Sequence, residues 1–199
     1  GTEHNVDLVV TPGSVKLATP EAPTLTASTT VEDRLGPDDD DTYARSTSPT
    51  ANYGGSPYLH AGYDSSAESY RYIFLRVPSR CFWLFPYASS VSLALYKRGG
   101  TSYTRSFRVC PVTSPWAEDT LTYETMPTYA TFVATTDIGP TNTWYYWNIT
   151  SLIQDWLDGV LEDLGLCVRH GQSGTSYKDF YSSDYTQDPS LRPKAVYTE

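Results

Sequence analysis

The sequence predicts an all-β protein: an antiparallel two-sheet β-sandwich, jelly-roll-like, with one short helix and an extended N-terminal arm. Three observations carry this expectation. From residue 58 onward, short apolar or aromatic runs alternate with period two and are divided by turn residues such as Gly99-Gly100 and Gly139-Pro140. The composition holds 17 Tyr against a single Met, with 14% aromatic and only 19% charged residues, which suits sheet better than helix. A single stretch after Thr150 shows helical spacing.

Residues 1–30 read as an arm and residues 31–199 as the β-sandwich domain. The first 30 residues contain no aromatic side chain and are interrupted by Pro12, Pro20 and Pro23. Val6, Leu8 and Val10 share one face of a possible strand, Pro12-Gly13 supplies a turn, and Val15 and Leu17 continue the alternation. Such a segment either adds a strand to its own sheet or lies on a neighbouring copy or another surface or shell protein.

Gly36 to Asp41 encloses four adjacent carboxylates, Asp38, Asp39, Asp40 and Asp41. Two readings stay open, a solvated loop or a structural calcium site with Asn52 as its neighbour, because calcium takes several oxygens; the alternating ligand spacing of an EF-hand is absent. Asn52-Tyr53-Gly54-Gly55 is turn chemistry.

The expected strands are 58–61, 70–77, 91–97, 103–111, 120–123, 129–135, 145–149, 164–168, 179–182 and 194–197. Within 70–77, Arg71, Ile73, Leu75 and Val77 fall on one face and Tyr70, Tyr72, Phe74 and Arg76 on the other. Both faces are partly apolar, which marks a central strand. Trp144 to His170 joins a strand, a helix and a second strand. Thr150 is placed as the N-cap, Leu152, Ile153, Trp156 and Leu157 recur at helical spacing, and Gly159 ends the helix. So short a helix needs a larger core beneath it, so Trp147, Leu152, Ile153, Trp156 and Leu166 are expected to be buried together.

Cys81, Cys110 and Cys167 are odd in number, so at least one remains free or pairs between molecules. Cys110 and Cys167 sit in apolar strand patterns and read as small buried hydrophobes. A disulfide between them is the alternative and requires adjacent strands, with Cα atoms within about 7 Å.

The net charge of −9 and pI near 4.7 argue against nucleic acid and anionic membrane surfaces as partners. No apolar run approaches the roughly 20 residues of a spanning helix, so a soluble chain is expected. No catalytic constellation stands out: His4, His60 and His170 belong to no paired ligand motif, and there is no nucleophile elbow or phosphate loop. Asn148-Ile149-Thr150 matches a glycosylation sequon, but its place at a strand-to-helix junction accounts for it structurally.

Several motifs occur in a fixed order: Asp41-Thr42-Tyr43, Asn52-Tyr53-Gly54-Gly55, Arg71 to Val77, Trp116-x-Glu118 before Leu121-Thr122-Tyr123 and Pro127, Phe180-x-Ser182-Ser183, and Leu191-Arg192-Pro193. Together with the Trp144 to His170 stretch, this series resembles the disaggregatase-related (DNRLRE) β-sandwich family over roughly residues 31 to 198. Leu75-Arg76-Val77 and Asp184 depart from its usual pattern. The resemblance implies a β-sandwich of secreted, cell-surface or virion-associated proteins, in which Glu118 is a conformational signature rather than an acid catalyst. Its relatives include carbohydrate-binding modules.

Two functions follow as expectations. The leading one is a non-enzymatic extracellular or virion-surface protein that builds or decorates an assembly through its arm. The alternative is a polysaccharide-binding module that stacks sugar rings on Tyr63, Tyr70, Tyr103, Tyr177, Tyr181 and Tyr185, all in or beside loops. An acidic polysaccharide would need a basic patch, for which Lys97, Arg98, Arg105 and Arg108 are nearest in sequence. Calcium is the one cofactor considered.

Overall fold

The structure is a computed structural model, and it describes residues 30–77, 88–170 and 174–199. The arm positions Val6, Leu8, Val10, Val15 and Leu17, and Cys81, lie outside the described residues.

Among the described residues the strands are β1 Thr30–Arg34, β2 Asp41–Arg45, β3 Tyr58–Asp64, β4 Ser69–Leu75, β5 Ser90–Gly100, β6 Arg105–Pro111, β7 Ala134–Ile138, β8 Trp144–Asn148, β9 Leu166–His170, β10 Ser176–Tyr181 and β11 Lys194–Thr198. The one α-helix among the described residues, α1, spans Thr150–Leu157. Every strand pairing is antiparallel. The fold is therefore all-β, as the alternating pattern requires.

The strands do not separate into two independently bonded sheets. They form one curled sheet in the order β1-β11-β5-β10-β3-β4-β9-β6-β7, with β2 added on β4 and β8 on β5. The long strand β5 makes this continuity. Its first half pairs with β11 from Ser90 to Ala94, and with β8 from Ser92 to Tyr96, while Lys97 to Gly100 pair with β10. Strands that pass from one layer to another in this way turn the corners of curled sheets. Two glycines let β10 sit close on both sides. Gly62 has φ 120°, and a Cβ there would lie 2.1 Å from the Ser176 carbonyl oxygen; Gly100 has φ 101°, and a Cβ would lie 2.4 Å from that of Tyr177. Only glycine tolerates both constraints.

The curl encloses the main core. Val91, Leu93 and Leu95 of β5 and Tyr197 of β11 cluster with Ile73 and Leu75 of β4, Phe107 and Val109 of β6, and Val168 of β9. Trp147, Leu152, Ile153, Trp156 and Leu166 belong to the same cluster, as expected. The Trp147 indole nitrogen donates to the Phe107 carbonyl oxygen at 2.9 Å, which satisfies a fully buried polar atom.

A second, smaller core lies on the other face of β4, β6 and β9, where Phe74, Cys110, Val112, Leu121 and Cys167 meet Tyr72, Trp116 and Tyr129. Strand β4 is thus covered on both faces, as its sequence indicates. The segment 112–133 supplies this cover. It was expected to contain strands at 120–123 and 129–135; instead its side chains pack down on the sheet, and a strand begins only at Ala134. The Trp116 indole nitrogen donates to the Leu164 carbonyl oxygen at 2.8 Å and pins it.

Thr150 is the first helical residue, not the N-cap. Ile149 holds the cap position without a side-chain bond. The Thr150 hydroxyl is engaged elsewhere, accepting the Val91 N–H at 2.9 Å and so tying α1 to β5. Gly159, with φ 68°, follows the helix as the sequence predicts. No described helix is long and apolar enough to cross a membrane.

Candidate functional site

Period-two alternation decides what the sheet shows on the face turned away from its main core. Because Leu95, Trp147, Phe180 and Leu59 point into that core, Tyr96, Trp144, Tyr181 and Tyr58 project from the opposite face. The register then brings them together. Tyr96 is opposite Trp144 across β5 and β8, and Tyr58 is opposite Tyr181 across β3 and β10.

The rings form a continuous path: Trp144 to Tyr96 at 5.4 Å between centroids, Tyr96 to Tyr181 at 6.0 Å, and Tyr181 to Tyr58 at 6.1 Å. Tyr185 adds a fifth ring 4.1 Å from Tyr181. All but Tyr185 are partly exposed.

Cations border this path. The Arg98 guanidinium lies 3.8 Å from the Tyr58 centroid, and the Lys194 ammonium lies 4.2 Å from the Trp144 centroid and bonds Glu32. Two positions along the β3–β10 register from Tyr58 and Tyr181, on the same face, His60 Nδ1 and Asp179 Oδ1 are 2.6 Å apart. Flat apolar ring faces beside hydrogen-bonding and charged tips are what a chain of sugar rings requires.

Of the predicted tyrosines, the structure brings Tyr181 and Tyr185 to this ring path, and Tyr177 to the same face of β10 but outside the path. Tyr63 and Tyr70 contact each other as a cross-strand pair of β3 and β4, their ring centroids 4.6 Å apart and their planes tilted by 34°. Tyr177 lies beneath the Arg71 guanidinium at 4.4 Å, and Tyr103 is exposed near Arg105. The sequence reading favoured loops and so missed Trp144, Tyr96 and Tyr58, which the strand alternation itself marks as outward.

The proposed basic patch likewise disperses. Arg98 joins the ring face, Arg108 covers Phe132 at 4.4 Å, and Lys97 points inward, where its ammonium donates to the Pro140 carbonyl oxygen and Asn142 Oδ1. Lys178 is also buried and donates to the Thr101 and Tyr103 carbonyl oxygens. Burial, with Lys97 and Arg105 nearby, lowers its pKa to about 8.

The four consecutive aspartates do not gather around a common point. Asp38 is exposed, Asp39 accepts the Gly36 N–H at 2.7 Å, and Asp40 pairs with Arg76 at 3.1 Å. Asp41 alone turns inward, where it meets Glu118 and Asp184, with one carboxylate oxygen from each within 4.8 Å of the others. Asp41 accepts the Ser183 N–H at 2.8 Å and the Ser183 hydroxyl at 3.1 Å. Glu118 accepts the Asp41 N–H at 3.1 Å and so fulfils the conformational role expected of it.

Asn52 stands beside this cluster, donating to the Glu118 carbonyl oxygen at 2.6 Å and that of Leu121 at 2.9 Å. Burial raises the Asp41 pKa well above its ordinary value. Burial also carries Glu118 up to about 7, with Asp184 adding to the rise. Three crowded carboxyls fit either shared protons or a hard cation such as calcium.

The family model of carbohydrate-binding module family 96 matches residues 35–194. The match spans β2 through the start of β11 and includes Tyr58, Tyr96, Trp144, Tyr181 and Tyr185. It gives the carbohydrate-binding family in place of the disaggregatase-related one that the motifs resemble. No curated protein matches the chain.

Proposed function

Because the chain belongs to carbohydrate-binding module family 96, we propose that it is a non-catalytic unit that holds a polysaccharide along the Trp144-Tyr96-Tyr181-Tyr58 ring path. The observation that carries this reading is the path itself. It crosses β8, β5, β10 and β3 as a row of partly exposed rings with spacings of 5.4, 6.0 and 6.1 Å. Successive sugars of one chain would stack along it, while His60, Asp179 and Arg98 meet their hydroxyl or acidic groups.

The curled sheet serves as a sandwich-type scaffold that keeps these strands in register. The reading keeps the extracellular location expected from sequence, where such a polysaccharide would be met. The cluster of Asp41, Glu118 and Asp184 contributes to stability, by protons or calcium, rather than to sugar contact. Assembly through residues 1–30, the leading expectation from sequence, has no support in the described residues, and the family favours the alternative.

The test is calorimetric titration of the whole chain with neutral and acidic oligosaccharides of increasing length. Affinity should grow with length. Tyr181→Ala should weaken binding by roughly tenfold, about 1.4 kcal/mol, as for a central aromatic anchor. Tyr103→Ala, away from the path, should leave it unchanged. Binding that survives the combined loss of Trp144, Tyr96 and Tyr181 would place the sugar elsewhere.

A further inference from the structure

Beneath the cover segment 112–133, two thiols lie side by side. Cys110 of β6 and Cys167 of β9 are directly opposed in the antiparallel register, both are free, and both are buried in the second core. The register also fixes the kind of pair. The Val112 N–H donates to the Gly165 carbonyl oxygen at 3.0 Å, and these residues are opposed in the same ladder two positions on. Cys110 and Cys167 therefore occupy a hydrogen-bonded pair, for which the Cα separation is about 5.5 Å. That spacing lies within disulfide range, whereas the Cβ atoms of such a pair stand wider than the roughly 3.8 Å of a relaxed bridge.

From this geometry we propose that Cys110 and Cys167 are a modification site: a cross-strand dithiol that closes to a strained, readily reduced disulfide when exposed to a disulfide oxidant such as glutathione disulfide.

The chemistry balances in two exchanges. The Cys110 thiolate attacks glutathione disulfide, forming a mixed disulfide and releasing one glutathione thiolate. The Cys167 thiolate then attacks the Cys110 sulfur and releases the second. The two cysteines lose two electrons and two protons, and the oxidant is reduced to two glutathiones. Burial raises both thiols above their ordinary value, and Arg169 opposes that rise at each, so the exchange runs equally well when it begins at either cysteine. The resulting clasp joins β6 to β9 directly under Trp116 and Leu121, which belong to the segment that carries Glu118.

The test uses the full chain with Cys81→Ser, so that only this pair reports. Refolding from denaturant in glutathione buffers of stepped oxidised-to-reduced ratio removes the question of access. Intact mass and denatured thiol titration then read the products. A monomer with no titrating thiol is expected at oxidising ratios, and it should return to two thiols under mild reduction. Adding Cys110→Ser should leave one thiol and no bridge. Two thiols at every ratio, or a persistent glutathione adduct with no second exchange, would overturn the proposal. A bridge that resists reduction as a structural disulfide does would overturn its strained character.

Discussion

At the scale of single residues, Glu118 carries a pH-dependent part of the stability. Burial, with Asp184, Asp40 and Asp119 nearby, raises its carboxyl from an ordinary 4.5 to about 7. A carboxyl that is easier to protonate when folded stabilises the fold fully below its unfolded pKa, and that contribution is lost as pH rises through the folded one. The melting temperature is therefore expected to fall between about pH 4.5 and pH 7, and Glu118→Gln should flatten that slope, as read by thermal melts across pH. Asp41, raised by burial in the same direction, steepens the loss. Calcium titration at pH 8 is the companion measurement. A rise in melting temperature there would show a cation taking the place of the protons, and no rise would leave protonation as the means by which the cluster is tolerated.

The sequence showed the acidic residues but not their grouping. Asp41 is separated from Glu118 and Asp184 by long stretches of chain, and no local spacing encodes that meeting.

At the scale of elements, α1 and its core were legible because an amphipathic helix after Thr150 can satisfy its apolar side only against the sheet. Trp156 is nearly buried and belongs to the main core. Trp156→Ala should cost about 3 kcal/mol, the lower end for large aromatic truncations, measured by denaturant unfolding. A loss below about 0.5 kcal/mol would mean that the helix adds little to the core.

The strands β1 and β2 went unrecognised, since Thr30–Arg34 and Asp41–Arg45 are polar segments whose pairing is set by β11 and β4 rather than by their own pattern. The reverse error occurred at residues 120–123. Leu121 reads as a strand residue because it is buried, yet it packs as cover over Phe74 and Cys167. Burial imposes apolar side chains on a cover segment as firmly as on a strand, and a short run cannot distinguish the two.

At the scale of the whole molecule, the proposed binding face is assembled from strands distant in sequence. Tyr58, Tyr96, Trp144 and Tyr181 meet only because the curled sheet places β8, β5, β10 and β3 in succession. Outward alternation made each of them readable as a surface residue; their adjacency is a property of the topology. The family match begins at residue 35, and the first strand among the described residues begins at Thr30 with a complete pairing to β11. The elements that position the rings all lie downstream of that point. A chain cut before Thr30 is thus expected to fold, to melt within a few degrees of the full chain, a difference of about 1 kcal/mol or less, and to retain its affinity for the same oligosaccharide. A thermal melt and a binding titration on the cut chain check this together. A large fall in melting temperature would make residues 1–29 part of the sheet's support, and intact folding with lost affinity would make them part of the sugar site.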